Sequence, residues 1–319
     1  MTQPNAARIT VVGDALIDEL RDPTGSREFV GGAALNVAVG LALLGERVTL
    51  VAMLGDDEPA TRIRAFLADY DVQLVESPSA LGTSRAVSDR SEGGEPRYVF
   101  NDAARHRRLS FDAATLEALG DADLVVVSCY PFDDAEQVDA LLDAVADPEQ
   151  RLIVDGNPRE GMLRDRDAFL AAFERVAARS LLVKAGDEDA ELLAREPLDA
   201  FVARLRSGGG GGDGRGGSDD GRGGPAVLAT AGRRGADVHH GDLEVHADIV
   251  DLPGRVIDTM GAGDATLAAI VHHIARDSVP TDSEAWREAL GEAMTIAAAT
   301  VRHEGALLRT GASSPELGS

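Results

Sequence analysis

Apolar residues along this chain fall into short continuous runs bounded by Gly, Asp or Pro, and only rarely alternate strictly with polar ones. Ile9-Thr10-Val11-Val12 and Leu124-Val125-Val126-Val127 are two such runs, the mark of strands buried on both faces of a parallel sheet. The pattern predicts strands at about 8–13, 47–52, 123–128, 151–155, 180–184 and 226–229, with helices over 33–44 and 57–69. Strand and helix in alternation is the grammar of a parallel sheet covered by helices.

Two stretches break that grammar. Residues 15–30 and 82–101, the latter alternating through Ser84, Ala86 and Ser88 to Tyr98 and Phe100, read as a small separate sheet, a lid over a site. Residues 208–224 are almost entirely Gly, Asp, Ser and Arg, which cannot bury enough surface to offset their ordering entropy, so a flexible surface loop is expected. No strand precedes that stretch and no helix opens from it, which argues against a phosphate-binding loop there. The end, from Ser313, reads as a loose tail.

Composition narrows the class. A chain of 319 residues with 44% hydrophobic content can bury a sizeable core, and α/β folds of this size often form one unit. Its one cysteine, Cys129, excludes an internal disulfide and any zinc site needing two thiolates. No basic segment followed by an apolar stretch opens the chain, and no run approaches the roughly 20 apolar residues of a membrane span. The expectation is a cytoplasmic protein. A formal charge of −24 argues against nucleic acid or an anionic membrane as partner. The cationic side chains are nearly all Arg, which suits either salt adaptation or a GC-rich genome. Lys184 is the only lysine, so its compact ammonium is a candidate for a task a guanidinium cannot perform.

The candidate chemistry begins at Asp258-Thr259-Met260-Gly261-Ala262-Gly263-Asp264, which leads into a helix-like stretch from Ala265 to Ile274. Glycines before a helix let backbone N–H groups converge, and the helix N-terminus adds positive potential, so an anion such as a phosphoryl group fits. A carboxylate beside it can accept a proton from an attacking hydroxyl. Taken alone, the same segment also fits a plain helix start packed tightly through its glycines. A second Gly pair, Gly31-Gly32, precedes another helix with Asn36 one turn in, where a polyol would meet bare backbone and an amide.

Together these segments resemble the ribokinase-like (PfkB) carbohydrate kinases, which carry Gly-Gly-x-x-x-Asn near the N-terminus and Asp-Thr-x-Gly-Ala-Gly-Asp near the C-terminus. Both stand here, at 31–36 and 258–264. Further matches are Gly13-Asp14-Ala15-Leu16-Ile17-Asp18, Lys184 with its acidic followers, and Thr230-Ala231-Gly232-Arg233-Arg234-Gly235, so the resemblance spans about residues 8–311. It implies one ribokinase-like domain over 1–319: a doubly wound, mostly parallel α/β sheet with helices on both faces and a small β lid. It implies ATP and Mg2+ as cofactors, with Asp264 as base and the Gly261, Ala262 and Gly263 amides as anion hole. Asp14, Asp18, Gly31, Gly32 and Asn36 would lie at the sugar. Lys184, Thr230, Gly232 and Gly235 would line the nucleotide site. The family's metal-linked Lys-x-Asn-x-x-Glu reads Lys184-Ala185-Gly186-Asp187-Glu188-Asp189 here, leaving Glu188 or Asp189 to hold Mg2+ through water. An acidic first helical turn explains the same residues.

Asp155-Gly156-Asn157-Pro158-Arg159 resembles a segment of the fructokinase and 2-keto-3-deoxygluconate kinase branches, and adds Arg159 as a substrate-binding candidate. Keto-deoxygluconate kinases place an Arg for the substrate carboxylate in a Tyr-rich segment that reads Tyr98-Val99-Phe100-Asn101-Asp102 here; that Arg is missing, which favours a neutral, fructose-like sugar, although Arg97, Arg105, Arg107 or Arg108 could stand in. A 2-keto-3-deoxygluconate kinase, a nucleoside kinase and a non-catalytic sugar or nucleotide sensor are the alternatives; the last stands because fold never proves activity. Lid strands offer edges through which a homodimer would pair. A Walker loop is excluded because Lys184 lies between Val183 and Ala185, and a dinucleotide fingerprint because Gly13-Asp14-Ala15 lacks the second glycine. The histidines lack metalloprotease spacing. The origin of the acidic excess is decided by melting temperature between low and molar potassium chloride: a steep climb marks salt adaptation, and a flat response leaves genome composition.

Overall fold

A computed structural model describes residues 6–89, 97–147, 151–208 and 224–309. Nine strands form the main sheet: β1 (Arg8–Gly13), β4 (Arg47–Leu54), β5 (Gln73–Pro78), β8 (Leu124–Ser128), β9 (Leu152–Asp155), β10 (Leu182–Gly186), β11 (Ala226–Thr230), β12 (Ala236–His240) and β13 (Leu243–Ala247). Their order is β13-β12-β11-β10-β9-β8-β1-β4-β5, parallel throughout except where β12 runs against β11 and β13. The chain leaves β1 to one side for β4 and later returns to its other side as β8. That reversal opens a crevice at the carboxyl ends of the strands, where α/β sheets hold ligands.

The helices are α1 (Ala33–Leu43), α2 (Glu58–Asp69), α3 (Asp102–Arg105), α4 (Ala113–Gly120), α5 (Ala135–Ala144), α6 (Arg166–Ala177), α7 (Asp187–Ala194), α8 (Leu198–Arg206), α9 (Ala262–Asp277) and α10 (Ser283–Thr300). Successive strand residues feed opposite cores. Ile9, Val11, Leu124 and Val126 pack with α1, α2, α9 and α10, whereas Val12, Val125 and Val127 pack with α5, α6, α7 and α8. Both faces of the sheet are therefore buried, which is why its strands read as unbroken apolar runs.

The remaining strands, β2 (Leu16–Asp22), β3 (Gly25–Gly31), β6 (Ser84–Asp89) and β7 (Arg97–Phe100), make the separate sheet expected over 15–30 and 82–101, in the order β3-β2-β6-β7. Ion pairs tie it to the main body and to itself. Arg62 of α2 meets Glu28 of β3, Arg85 meets both Glu28 and Glu19, and Arg27 meets Glu304. Such partly exposed pairs are each worth less than about 1 kcal/mol, so they orient the sheet more than they stabilise it.

The edge strand β5 and the β12–β13 hairpin were not expected. β5 has mixed burial and ends in Pro78, and β12 ends in His239 and His240, so neither shows a clean apolar run. The glycine-rich stretch at 208–224, its two end residues apart, lies outside the described residues, as does the tail from Ser313. No helix among the described residues is long and apolar enough to cross a membrane.

The contact between α1 and α9 is made by small residues. A Cβ built on Gly40 would lie 3.1 Å from the Ala268 Cβ and 3.2 Å from Leu308 Cδ1. Gly40→Leu overfills that crossing and is expected to lower stability by about 1–3 kcal/mol, read as a reduced urea midpoint with unchanged slope.

Candidate functional site

The crevice collects residues from the carboxyl ends of five parallel strands: Asp14 after β1, Cys129 after β8, Asn157 and Arg159 after β9, Lys184 on β10, and Thr230 on β11. The first turn of α9 closes it. Gly261 caps that helix at φ 75°, and a Cβ there would meet the Ala306 carbonyl oxygen at 2.1 Å, so only glycine fits. The first-turn N–H groups of α9 have no intrahelical acceptor, and Ala262 N–H makes only a long contact of 3.4 Å to the Thr259 carbonyl.

Asp264, on that turn, is buried at 7% exposure. Asn36 Nδ2 donates to its Oδ2 at 2.8 Å, and Asn157 Nδ2 reaches its Oδ1 at 3.5 Å. Burial pushes the carboxyl up to about 6, against the opposing pull of the Asn36 amide. Asn36 Oδ1 is buried and has no partner among the described residues, an acceptor left open beside the carboxylate.

Lys184 lies beneath the same turn. A Cβ on Gly263 would sit 3.3 Å from its Cε and 3.6 Å from its Nζ. Paired register sets Lys184 opposite Asp155 on β9, and Nζ donates to both Asp155 carboxylate oxygens at 3.1 Å. Burial by itself would lower the ammonium's pKa, but Asp155, Asp189 and Asp264 hold it above the ordinary value. Asp189 accepts from the Gly186 N–H at 2.7 Å, and burial raises it to about 6 in spite of Lys184. Glu188 points away from this group and is exposed.

The carboxylates on the small-sheet side differ in their engagement. Asp14 accepts from the Ala34 N–H at 3.0 Å and so serves the start of α1. The Asp18 carboxylate makes no hydrogen bond among the described residues. Its Oδ2 occupies the place where a Cβ on Gly31 would fall, 2.2 Å away, which explains that glycine. Burial, then the charge of Asp14, lifts Asp18 to about 7. Gly32 caps α1 at φ 113°. The Arg159 guanidinium forms no hydrogen bond or ion pair among the described residues, while its charge acts on Asp14, Asp18, Asp189 and Asp264.

Asp14, Asp18, Gly31, Gly32, Asn36, Arg159, Lys184, Asp189 and the 261–264 turn thus share one crevice. Thr230 stands beside Gly186, its Oγ1 3.5 Å from where a Cβ there would be. Gly232 and Gly235 follow on the short turn into β12, with φ 52° and 87°. Two residues were not singled out from sequence. Asp155 could have been found as the strand neighbour of the sole lysine, and Asn157 as an Asn standing before a proline in a segment already recognised.

Comparison with known proteins follows this geometry. A family model described as pfkB family carbohydrate kinase matches residues 6–310. A fructokinase of Rhizobium leguminosarum bv. trifolii is 29% identical over 288 residues, covering 86% of this chain and 81% of that protein. A fructokinase double mutant of Vibrio cholerae O395, solved with fructose, ADP and potassium ion, superposes with TM-score 0.76 at 20% identity, covering 96% of this chain and 95% of that one. A ribokinase of Thermotoga maritima superposes with TM-score 0.67 at 18% identity, covering 94% of each chain.

The Lys184–Asp155 pair makes a stability prediction. Lys184→Met leaves a fully buried carboxylate without its counter-charge and should cost about 3–5 kcal/mol in urea unfolding, and a further Asp155→Leu change should restore most of that loss.

Proposed function

This chain belongs to the pfkB family of carbohydrate kinases, phosphotransferases acting on a sugar hydroxyl, and we propose that it phosphorylates a neutral, fructose-like sugar from ATP with Asp264 as general base. The observation that carries this reading is the Asp264 carboxylate, buried at the mouth of α9 and bonded by Asn36 beside the Lys184 ammonium. Fructokinase relatives and the fructose- and ADP-bound neighbour support both substrates.

In its ionised form Asp264 accepts the proton of the sugar hydroxyl. The freed oxygen forms a bond to the γ-phosphorus of ATP while the bond from that phosphorus to the bridging oxygen breaks, and the electron pair leaves with ADP. Asp264 then returns its proton to solvent. Charge building on the transferring group meets the Gly261, Ala262 and Gly263 N–H groups and Lys184, fixed before reaction, which is where such donors are most effective. Asp18 and the open Asn36 Oδ1 accept hydrogen bonds from sugar hydroxyls, and the surrounding carboxylates disfavour an anionic sugar acid. Thr230, Gly232 and Gly235 flank the nucleotide. The unpaired Arg159 is the cation available to a phosphate oxygen.

Of the two carboxylates named for Mg2+, Asp189 is the one at the crevice, beside Lys184, and it fits an ion held by one or two carboxylates with retained water and substrate phosphate; exposed Glu188 would reach it only through water. Bound there with ATP, Mg2+ neutralises phosphate charge. The four-stranded sheet acts as the lid that excludes water, so that ATP is not hydrolysed in place of transfer.

ADP release is followed with ATP and Mg2+ against fructose, 2-keto-3-deoxygluconate, ribose, other hexoses and nucleosides. Turnover is expected on fructose, reduced by at least about 100-fold in Asp264→Asn. Because the base works as a carboxylate, kcat/KM falls as pH drops through about 6. Wild-type rates in Asp264→Asn would remove the base assignment, and ligand-raised melting temperature without turnover on any sugar would favour a sensor.

A further inference from the structure

Asn157 stands two residues beyond β9 in a backbone conformation that few residues adopt. Its φ is +39°, in the left-handed region, and Pro158 follows it, which restricts the preceding residue further. Asparagine tolerates that region better than most residues, but the conformation still carries strain, and such strain persists where a side chain must be held in one place. The side chain is buried at 7% exposure. Its one hydrogen bond among the described residues runs to Asp264 Oδ1.

The two oxygens of Asp264 are therefore held unequally. Oδ2 is committed to Asn36 at 2.8 Å, whereas Oδ1 meets Asn157 at the long distance of 3.5 Å. A long amide contact aims an oxygen without filling it, and hydrogen bonds of this kind tighten when substrate binds. Resting on Asp264 as the base, we infer that Oδ1 is the atom that takes the sugar proton and that Asn157 is a positioning residue that aims this oxygen and favours its ionised form.

Two amides, one from α1 and one from the turn after β9, thus each hold one oxygen of the carboxylate. The charged groups facing Asp264 are Asp155, which opposes its ionisation, and Lys184 and Arg159, which favour it, with Asp18 across the crevice. Asn157 adds a neutral donor to that balance, and a donor to the charged form lowers a carboxyl pKa.

The test uses Asn157→Gly, which accepts positive φ and so keeps the turn, and Asn157→Asp, which keeps the shape but replaces the donor with a like charge. With fructose and ATP, Asn157→Gly is expected to lower kcat about tenfold or more with KM for either substrate little changed, and to move the acid limb of kcat/KM to higher pH. Asn157→Asp should move it by more than about one unit. The Asp264 carboxyl titration, read by 13C NMR in the free protein and assigned against Asp264→Asn, should shift in the same direction and needs no turnover. Unmoved titrations in both variants, or a kcat loss matched by a KM rise with an unmoved acid limb, overturn the inference. If Asp264→Asn itself keeps full activity, the base assignment falls first; if Asp264→Asn is inactive while the Asn157 variants titrate normally, only the role of Asn157 falls.

Discussion

Helix α9 can carry a carboxylate into the interior only because its neighbour α1 offers so little bulk where the two meet. Gly40 against Ala268 lets the helices approach to the limit of contact, and that approach brings Asn36 within hydrogen-bond reach of Asp264, 228 positions later in the chain. A larger residue at the crossing would separate the amide from the carboxylate before it disturbed any strand. The distance between two helices thus sets whether the Asn36 amide can temper what burial does to the carboxyl.

The electrostatics follow from that geometry. Asp14, Asp18, Asp155, Asp189 and Asp264 crowd one crevice, and burial raises Asp14, Asp18, Asp189 and Asp264 together. Arg107 offsets Asp14, and the other acids are kept compatible by Lys184, locked to Asp155, and Arg159, whose guanidinium has no partner among the described residues. Of these last two, one is committed to the fold and the other is available to a ligand, a division that a lysine on a strand and an arginine on a turn suit respectively.

Much of this was legible in the sequence, and for physical reasons. Strands buried on both faces must be apolar throughout, so β1, β8 and β11 declared themselves, as did the glycines that precede α1 and α9. Edge strands carry no such demand, which is why β5 and the β12–β13 hairpin escaped notice. Within the site, Asp264 and Asn36 lie in spaced motifs, whereas Asn157 and Asp155 acquire their meaning only from register and from a backbone angle. Neither quantity is written in residue type. Asp14 shows the converse, a residue expected at the sugar whose carboxylate bonds to the start of α1.

The seclusion of Lys184 has a chemical corollary. It is the only side-chain amine in the whole chain, and it is 5% exposed beneath the α9 turn. Acylating reagents directed at amines therefore find no side-chain target on the folded surface. Its nucleophile becomes reachable only when the crevice opens or the fold is lost, so acylation mapped to Lys184 by peptide mass, distinct from that of the backbone α-amine, acts as a built-in reporter of opening.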